Sequence, residues 1–363
     1  MFSIYTIRNI GPQTFQSTSE YLARALARQN IADVKLKLHF DLYATCKMKE
    51  NMLIKMRKYI ISLDHHIEDN QRELDLISTL ELFQLESITM YFYKVKNKIV
   101  AKNICENFIS KHCQTIKQIS IKGLNIENDS ILSLPTLPCL KDLHLQNVHG
   151  SNALSFMKAG EDTLKILILD HVSLKVADIN ELSISYLKKL NLIATSAKAG
   201  LALIEKVSNT ITHLYIKNVD FDQADCNDHA IPNLNNLNLQ GVNGIYSMKL
   251  IKKGENTISE LTLEKISFQG VDITNLKMMK LKTLNISMID GKTISDFINI
   301  SKNTLSELNI SYCNGFLTLN DVMIPNLRKI CASNIDSDFA NALMRAAKHN
   351  RCSYTFRKIT DIL

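Results

Sequence analysis

Apolar residues recur along this chain in a six-residue phrase, L-x-x-L-x-L, whose starts fall at Ile116, Leu140, Leu164, Leu187, Ile211, Leu234, Ile258, Leu281, Leu305 and Leu327. Successive starts are 24, 24, 23, 24, 23, 24, 23, 24 and 22 residues apart. So steady a period identifies stacked repeats, each burying its apolar face against its neighbours. Positions 4 and 6 of the phrase are apolar and the residues between them are mostly polar, which is the two-residue alternation of a strand with one buried side. One strand per repeat predicts a parallel sheet.

A slower rhythm of 47 residues overlies the first. After the strands that start at Leu140, Leu187, Leu234, Leu281 and Leu327, the segments 151–160, 199–207, 245–254, 293–301 and 338–347 carry apolar residues at helical spacing. Four of these lead to Thr163, Thr210, Thr257 and Thr304, and Asn209, Asn256 and Asn303 precede the last three. Asn tolerates a left-handed conformation, so a helix stop at each Asn is expected. The alternate connections, 172–186, 219–233, 266–280 and 314–326, lack a helical stripe, and two of them end in Ile-Pro-Asn-Leu. They should be extended or turn-like, with Phe221 and Phe268, again 47 apart, packed beneath them. A stack with helices after every second strand is wider on that side, and curves with its sheet on the concave side.

The pattern weakens towards both ends. Leu85-x-x-Ile88-x-Met90 extends the strand series, 102–113 extends the helices, and 20–29 followed by Ile31-x-x-Val34-x-Leu36-x-Leu38 reads as a further helix and strand. Residues 41–80 fit poorly: they hold a helix-like stretch, 47–60, and a charged segment, 64–75, with no assigned place. At the far end 353–359 reads as a capping strand with Tyr354 and Phe356 inward. The chain therefore divides into an N-terminal cap of degenerate repeats over 1–80 and a regular solenoid over 81–363.

These motifs resemble the leucine-rich-repeat superfamily over about residues 80 to 363. One departure is consistent: position 9, commonly Asn, Cys or Thr in that family, is Val148, Val172, Thr195, Val219, Val242, Ile266, Ile289, Cys313 and Ile335. The resemblance implies an α/β horseshoe with its parallel sheet on the concave face. It also implies a binding role of the kind found in nucleotide-binding immune receptors of innate immunity, ribonuclease-inhibitor-like proteins and secreted bacterial effectors. No G-x-x-x-x-G-K-[ST] loop is present, so a receptor with its own nucleotide domain is not encoded in these residues.

Composition narrows the setting. The 363 residues are 45% hydrophobic with 11 Gly and 5 Pro, enough for a continuous core. No run of 18 apolar residues occurs and the first residues lack the charge and cleavage pattern of a leader, so an unanchored, unsecreted chain is expected. Eight cysteines without a C-x-x-C pair suit a reducing, cytoplasmic compartment. Sequons at Asn128, Asn285, Asn299 and Asn309 read as chance, two of them falling inside repeat strands. The net charge of +7 hints at an acidic partner.

Candidate chemistry is sparse. His65 and His66 have no second ligand set at metal-binding spacing and read as solvated surface. Cys105 and Cys113 read as small core hydrophobes. No ordered nucleophile, base and acid signature is found, so no catalytic, cofactor or metal residues are assigned. The informative series are the two taken to face outward. At position 2, Lys117, Lys141, Lys165 and Lys188 form a basic stripe expected to line the earlier half of the inner face. At position 5, His144, Asn191, Tyr215, Asn238 and Asn285 offer hydrogen bonds and one aromatic anchor. No aromatic series interleaves the lysines, which argues against single-stranded nucleic acid. The expected function is non-enzymatic recognition of a protein with an acidic face. The alternatives are an adaptor whose first 80 residues recruit a second machine such as a ubiquitin ligase, and a scaffold for an enzyme or nucleic-acid binder.

Overall fold

Every template start from Ile116 to Leu327 leads into a five-residue strand that begins two residues later, at position 3. The structure, a computed structural model, describes residues 3–8, 34–40, 53–54, 57–67, 75–77, 79–126, 131–221, 230–313, 322–335, 337–347 and 352–357. Internal contacts divide the chain into two units, Met1–Tyr186 and Leu187–Leu363.

In the first unit the strands are β1 (Ser3–Arg8), β2 (Val34–Phe40), β3 (Ile60–His66), β4 (Ser87–Tyr91), β5 (Gln118–Lys122), β6 (Asp142–Gln146) and β7 (Ile166–Asp170). They pair in sequence order and all in parallel. Helices α1 (Lys98–His112) and α2 (Gly150–Ala159) follow β4 and β6, and a one-turn α3 (Val176–Asn180) follows β7. In the second unit β8 (Lys189–Ile193), β9 (His213–Lys217), β10 (Asn236–Gln240), β11 (Glu260–Glu264), β12 (Thr283–Ser287), β13 (Glu307–Ser311), β14 (Lys329–Ser333) and β15 (Ser353–Arg357) again pair in order and in parallel. Here α4 (Ala197–Val207), α5 (Gly244–Gly254), α6 (Gly291–Ser301) and α7 (Ser337–Ala346) follow β8, β10, β12 and β14. Each unit is thus α/β, with an all-parallel sheet in repeat order and a longer helix after alternate strands. Of the described helices none is long and apolar enough to cross a membrane.

Positions 4 and 6 of every strand from β5 to β14 are buried, as the alternation requires. Helices cover that side. A Cβ on Gly160 would stand 2.6 Å from the Leu140 side chain, and one on Gly200 or Gly254 would stand 3.2 Å from Leu192 or 3.0 Å from Leu234. Phe221 and Phe268 are buried beneath the alternate connections, where Phe221 stacks on Tyr246 of α5 and Phe268 meets Phe297 of α6 edge-on, each with centroids 5.6 Å apart. Position 9 is buried at Val148, Val172, Val219, Val242, Ile266, Ile289 and Cys313, where an apolar side chain extends the core.

The helices end where expected but by a different device. None of Asn209, Asn256 and Asn303 is left-handed. Instead the following Thr donates twice, through its backbone N–H and its Oγ1, to the carbonyl three residues back: Thr257 to Gly254 at 2.9 and 3.2 Å, Thr304 to Ser301 at 2.9 and 3.2 Å, and Thr210 to Val207 at 2.9 and 3.2 Å. The Asn of each Ile-Pro-Asn-Leu motif closes the neighbouring turn, Asn233 Nδ2 donating to Asn209 O (2.7 Å) and Asn326 Nδ2 to Asn303 O (2.6 Å).

A feature absent from the sequence reading is position 8, which is left-handed in ten successive repeats. It is Gly123, Asn147, His171, Ala194, Asn218, Gly241, Lys265, Met288, Tyr312 and Asn334, with φ between +47° and +77°. The backbone needs this bend. It swings the chain towards buried position 9, and the position-8 N–H still reaches the next strand's position-7 carbonyl, as from Gly241 to Glu264 (2.9 Å) and from Met288 to Ser311 (3.1 Å). For Gly the conformation is free and for Asn mild, but for larger side chains it costs roughly 1–2 kcal/mol.

Several expectations are corrected. The strand β3 lies in the stretch left unassigned and β1 was not anticipated. His65 is fully buried rather than solvated, because it occupies an inward position of β3, opposite Met90. Its neighbour His66, turned the other way, stacks on Tyr91 with centroids 4.0 Å apart. Tyr354 pairs with inward Ile330 but stays 39% exposed on β15, the last of the described strands. The one-turn α3 falls in a connection expected to be extended or turn-like and lacking a helical stripe. Cys105 is buried as expected, and burial pushes its thiol pKa up, while Cys113 is half-buried. The helix expected over 20–29, most of that over 47–60 and the Phe356 side chain lie outside the described residues.

Two stability predictions follow from this packing. Leu237→Ala, at a wholly buried inward position of β10, should cost about 2–5 kcal/mol in denaturant unfolding, whereas Asn238→Ala beside it should change stability by less than about 0.5 kcal/mol. Equal losses would contradict the register. His112, the last residue of α1, is buried against Phe108, and burial lowers its pKa to about 4 despite the helix C-terminus and the Leu80 carbonyl, which favour the charged form. The fold therefore holds it neutral. Its contribution is complete above the unfolded value of about 6.5 and is lost as pH falls towards 4, at about 1.4 kcal/mol per unit. Unfolding curves from pH 7.5 to 4.5 should show a steeper decline for the parent than for His112→Gln.

Candidate functional site

Once positions 4, 6 and 9 are turned into the core, the strands present positions 3, 5 and 7 on their other side. These residues are mostly half-buried and form three columns along each unit. Constant register makes the columns regular: each residue faces its counterpart 22 to 24 residues on, as Asn238 faces Thr262 and Asn285 faces Asn309.

All the position-5 candidates lie in this open face. In the first unit His144 stands on β6 beside Ser120, whose Oγ is 3.5 Å from its Nδ1. Its pKa is lowered by burial and then by Lys122, so it is neutral at pH 7. In the second unit Asn191, Tyr215, Asn238 and Asn285 stand on β8, β9, β10 and β12. The Tyr215 hydroxyl donates to Gln240 Oε1 (3.0 Å), and Asn285 Nδ2 donates to Thr262 Oγ1 (2.9 Å).

The position-2 lysines are placed otherwise. Lys117, Lys141, Lys165 and Lys188 each precede a strand by one residue, so they stand on the upstream rim and not on the face. Parity explains the shift, because position 2 shares the inward sense of positions 4 and 6 and is exposed only where the strand has not begun. Nor is the stripe uniformly available: Lys117 Nζ is 3.0 Å from Glu86 Oε1. Lys117 and Lys141 do share a cavity of about 390 Å³ with Lys37, Ser62, Ser87 and Gln118, next to the bulge at Ile61 where β2 and β3 slip register.

Positions 3 and 7 supply the residues that the sequence reading missed. In the first unit position 7 runs His66, Tyr91, Lys122, Gln146 and Asp170; Lys122 Nζ lies 5.1 Å from the Tyr91 ring centre, and Gln146 Nε2 donates to Asp170 Oδ2 at 2.8 Å. Burial, and then Asp64, raises the Tyr91 pKa. In the second unit Lys189 and Lys217 make the face of β8 and β9 basic, and burial, reinforced by Lys189, lowers the pKa of His213 on β9. Carboxylates further along are bonded, Glu260 by Asn236 and Glu264 by Gln240, both at 2.7 Å. Beyond them positions 5 and 7 of β12 to β14 are uncharged, and Thr262, Asn285, Asn309, Cys331, Thr355, Ser287, Ser311 and Ser333 line an open groove of about 470 Å³. The alternation alone contained this information, since positions 3 and 7 share the parity of position 5.

Among the described residues no group of three or more His, Cys, Asp or Glu could hold a metal ion, and six cysteines are unpaired. Compared with known proteins, the chain matches no family model and no curated protein.

The Lys117–Glu86 pair is partly exposed on both sides. Lys117→Met should therefore lower stability by no more than about 1 kcal/mol, and the difference should vanish in 1 M NaCl. Urea unfolding at low and high salt checks this. A loss that persists in salt would mean that the Lys117 stem, not its charge, supports the rim.

Proposed function

We propose that this chain is a non-enzymatic recognition module of leucine-rich-repeat type that binds a protein partner through the open face of its sheet. The observation that carries the reading is the stacking of positions 3, 5 and 7 in constant register, which sets side chains of chosen chemistry at strand spacing on a rigid backbone. Such surfaces bind with little ordering of their own. The lysines of the upstream rim suit a partner with acidic groups at that edge, raising its rate of association more than its final affinity. The unpaired cysteines agree with a reducing, cytoplasmic setting. The alternative in which residues 1–80 recruit a separate machine has less support, because β2 and β3 pair in the same ladder as β4.

Affinity capture with the full chain, followed by identification of bound proteins, supplies the partner for the decisive measurement. Tyr215→Ala and His144→Ala should each weaken its binding about tenfold, or about 1.4 kcal/mol, while Lys252→Ala on exposed α5 should leave it unchanged. Full-strength binding by both open-face variants, with loss on substitution of helix residues, would place the interface on the helical side and overturn the reading.

A further inference from the structure

At position 8 the backbone asks only for a residue that tolerates a left-handed bend. Gly and Asn meet that need at Gly123, Asn147, Asn218, Gly241 and Asn334. His171, Ala194, Lys265, Met288 and Tyr312 depart from the rule, and of these the successive pair Met288 (φ 55°) and Tyr312 (φ 53°) brings large apolar area to a region that disfavours bulky residues. Neither is spent on the core: Met288 is 45% and Tyr312 47% exposed. Backbone strain combined with exposed apolar surface is unfavourable twice over in the free protein, and such outliers mark functional positions.

Their location gives the pair a meaning. They directly follow Ser287 and Ser311, which line the groove on β11 to β15. The floor of that groove is built from hydroxyls and amides, with Asn309 donating to Asn285 and Asn285 to Thr262. Among the described lining residues the single charge is Glu264, already bonded by Gln240. A floor without free charge does not reward a charged ligand, whereas mixed donors and acceptors match the peptide groups of an extended chain. Five strands span four spacings, about 19 Å, which is the length of about six extended residues.

We propose that the open face of β11–β15 holds an extended, uncharged segment of a partner protein and that Met288 and Tyr312 grip an apolar residue of that segment at the downstream rim. The proposal rests on the open face being the recognition surface, and adds the subsite and the chemistry of what fills it. Met adapts its shape to an apolar side chain, and Tyr adds a rigid ring with a polar tip.

The test uses a displayed library of random seven-residue peptides selected on the full chain, with enriched peptides synthesised and their affinity measured by fluorescence anisotropy. The expected winners are uncharged and carry at least one large apolar residue. The double variant Met288→Asn, Tyr312→Asn should bind them at least tenfold more weakly while melting no lower than the parent, because Asn tolerates the bend. Asn285→Asp, which puts a charge in the floor, should also weaken them. The proposal is overturned if no peptide is enriched, if the winners are charged, or if the double variant binds like the parent. A lower melting temperature of the double variant would show that the two side chains hold the fold instead. Dimerisation of the parent by sedimentation, abolished in the double variant, would make a second copy of the chain the occupant. Peptides weakened by Tyr215→Ala or His144→Ala but not by the double variant would remove the grip at this rim and leave the open-face reading standing.

Discussion

The backbone ladder between successive parallel strands is the constraint from which the rest of each unit follows. It begins before the strand, as where Lys141 N–H reaches Lys117 O at 2.8 Å, and continues past its end to the left-handed residue, as where Gly123 N–H reaches Gln146 O at 2.8 Å. Spacing between template starts varies from 22 to 24 residues, yet the register never changes from β5 to β7 or from β8 to β15. Length differences are absorbed in the connections, where no ladder exists to disturb. With the register held, parity decides everything about a side chain's surroundings, and a slip of one residue would exchange core and surface along a whole strand.

The same parity separates two kinds of surface that sequence reading merges. Lysines 117, 141, 165 and 188 look like face residues because they are polar and regularly spaced, but regular spacing places them only in the same column, not on the same side. Face charges are instead mixed and several are bonded to neighbouring side chains, with Gln118 donating to Asp142 (2.7 Å) and Lys329 Nζ 3.6 Å from Glu307. The result is a polar surface with limited net field. Selectivity on such a surface comes from fitted hydrogen bonds and a few large side chains more than from gross charge.

Most of the fold was legible because it depends on positions that must be apolar. The L-x-x-L-x-L spacing marks ten strands, apolar residues at helical spacing mark the alternate helices, and the 47-residue rhythm marks Phe221 and Phe268 for burial. What escaped depends on weaker signals. The strand β3, seven residues long, begins with a bulge at Ile61 and carries His65 at an inward position, where the repeat pattern calls for an apolar residue. The left-handed bend leaves a negative trace, since none of its ten residues is β-branched, and absences are hard to see in a single sequence. Of the site, position 5 was read because it lies between two leucines. Positions 3 and 7 lie on either side of the two apolar anchors at positions 4 and 6, and their mixed residues Gln118, Asp142, Lys122 and Tyr91 carry no pattern of their own.

The first residues of α2 and α5, Gly150 and Gly244, lie 94 positions apart, twice the 47-residue rhythm, and meet the same obstacle: a Cβ there would stand 1.9 Å from the Ser173 carbonyl oxygen or 2.1 Å from that of Ser267. Each of these helices therefore starts against the backbone of the connection that follows the next strand, and it fits because that connection runs flat where it passes. A neighbour bearing a full helix of its own would fill the space. Growth or loss by one strand would bring two such helices side by side, while growth or loss by two strands would restore every contact. The natural cassette of this protein is accordingly a pair of strands, one with a long helix and one with at most a single helical turn, and changes in its length over evolution should come in steps of about 47 residues.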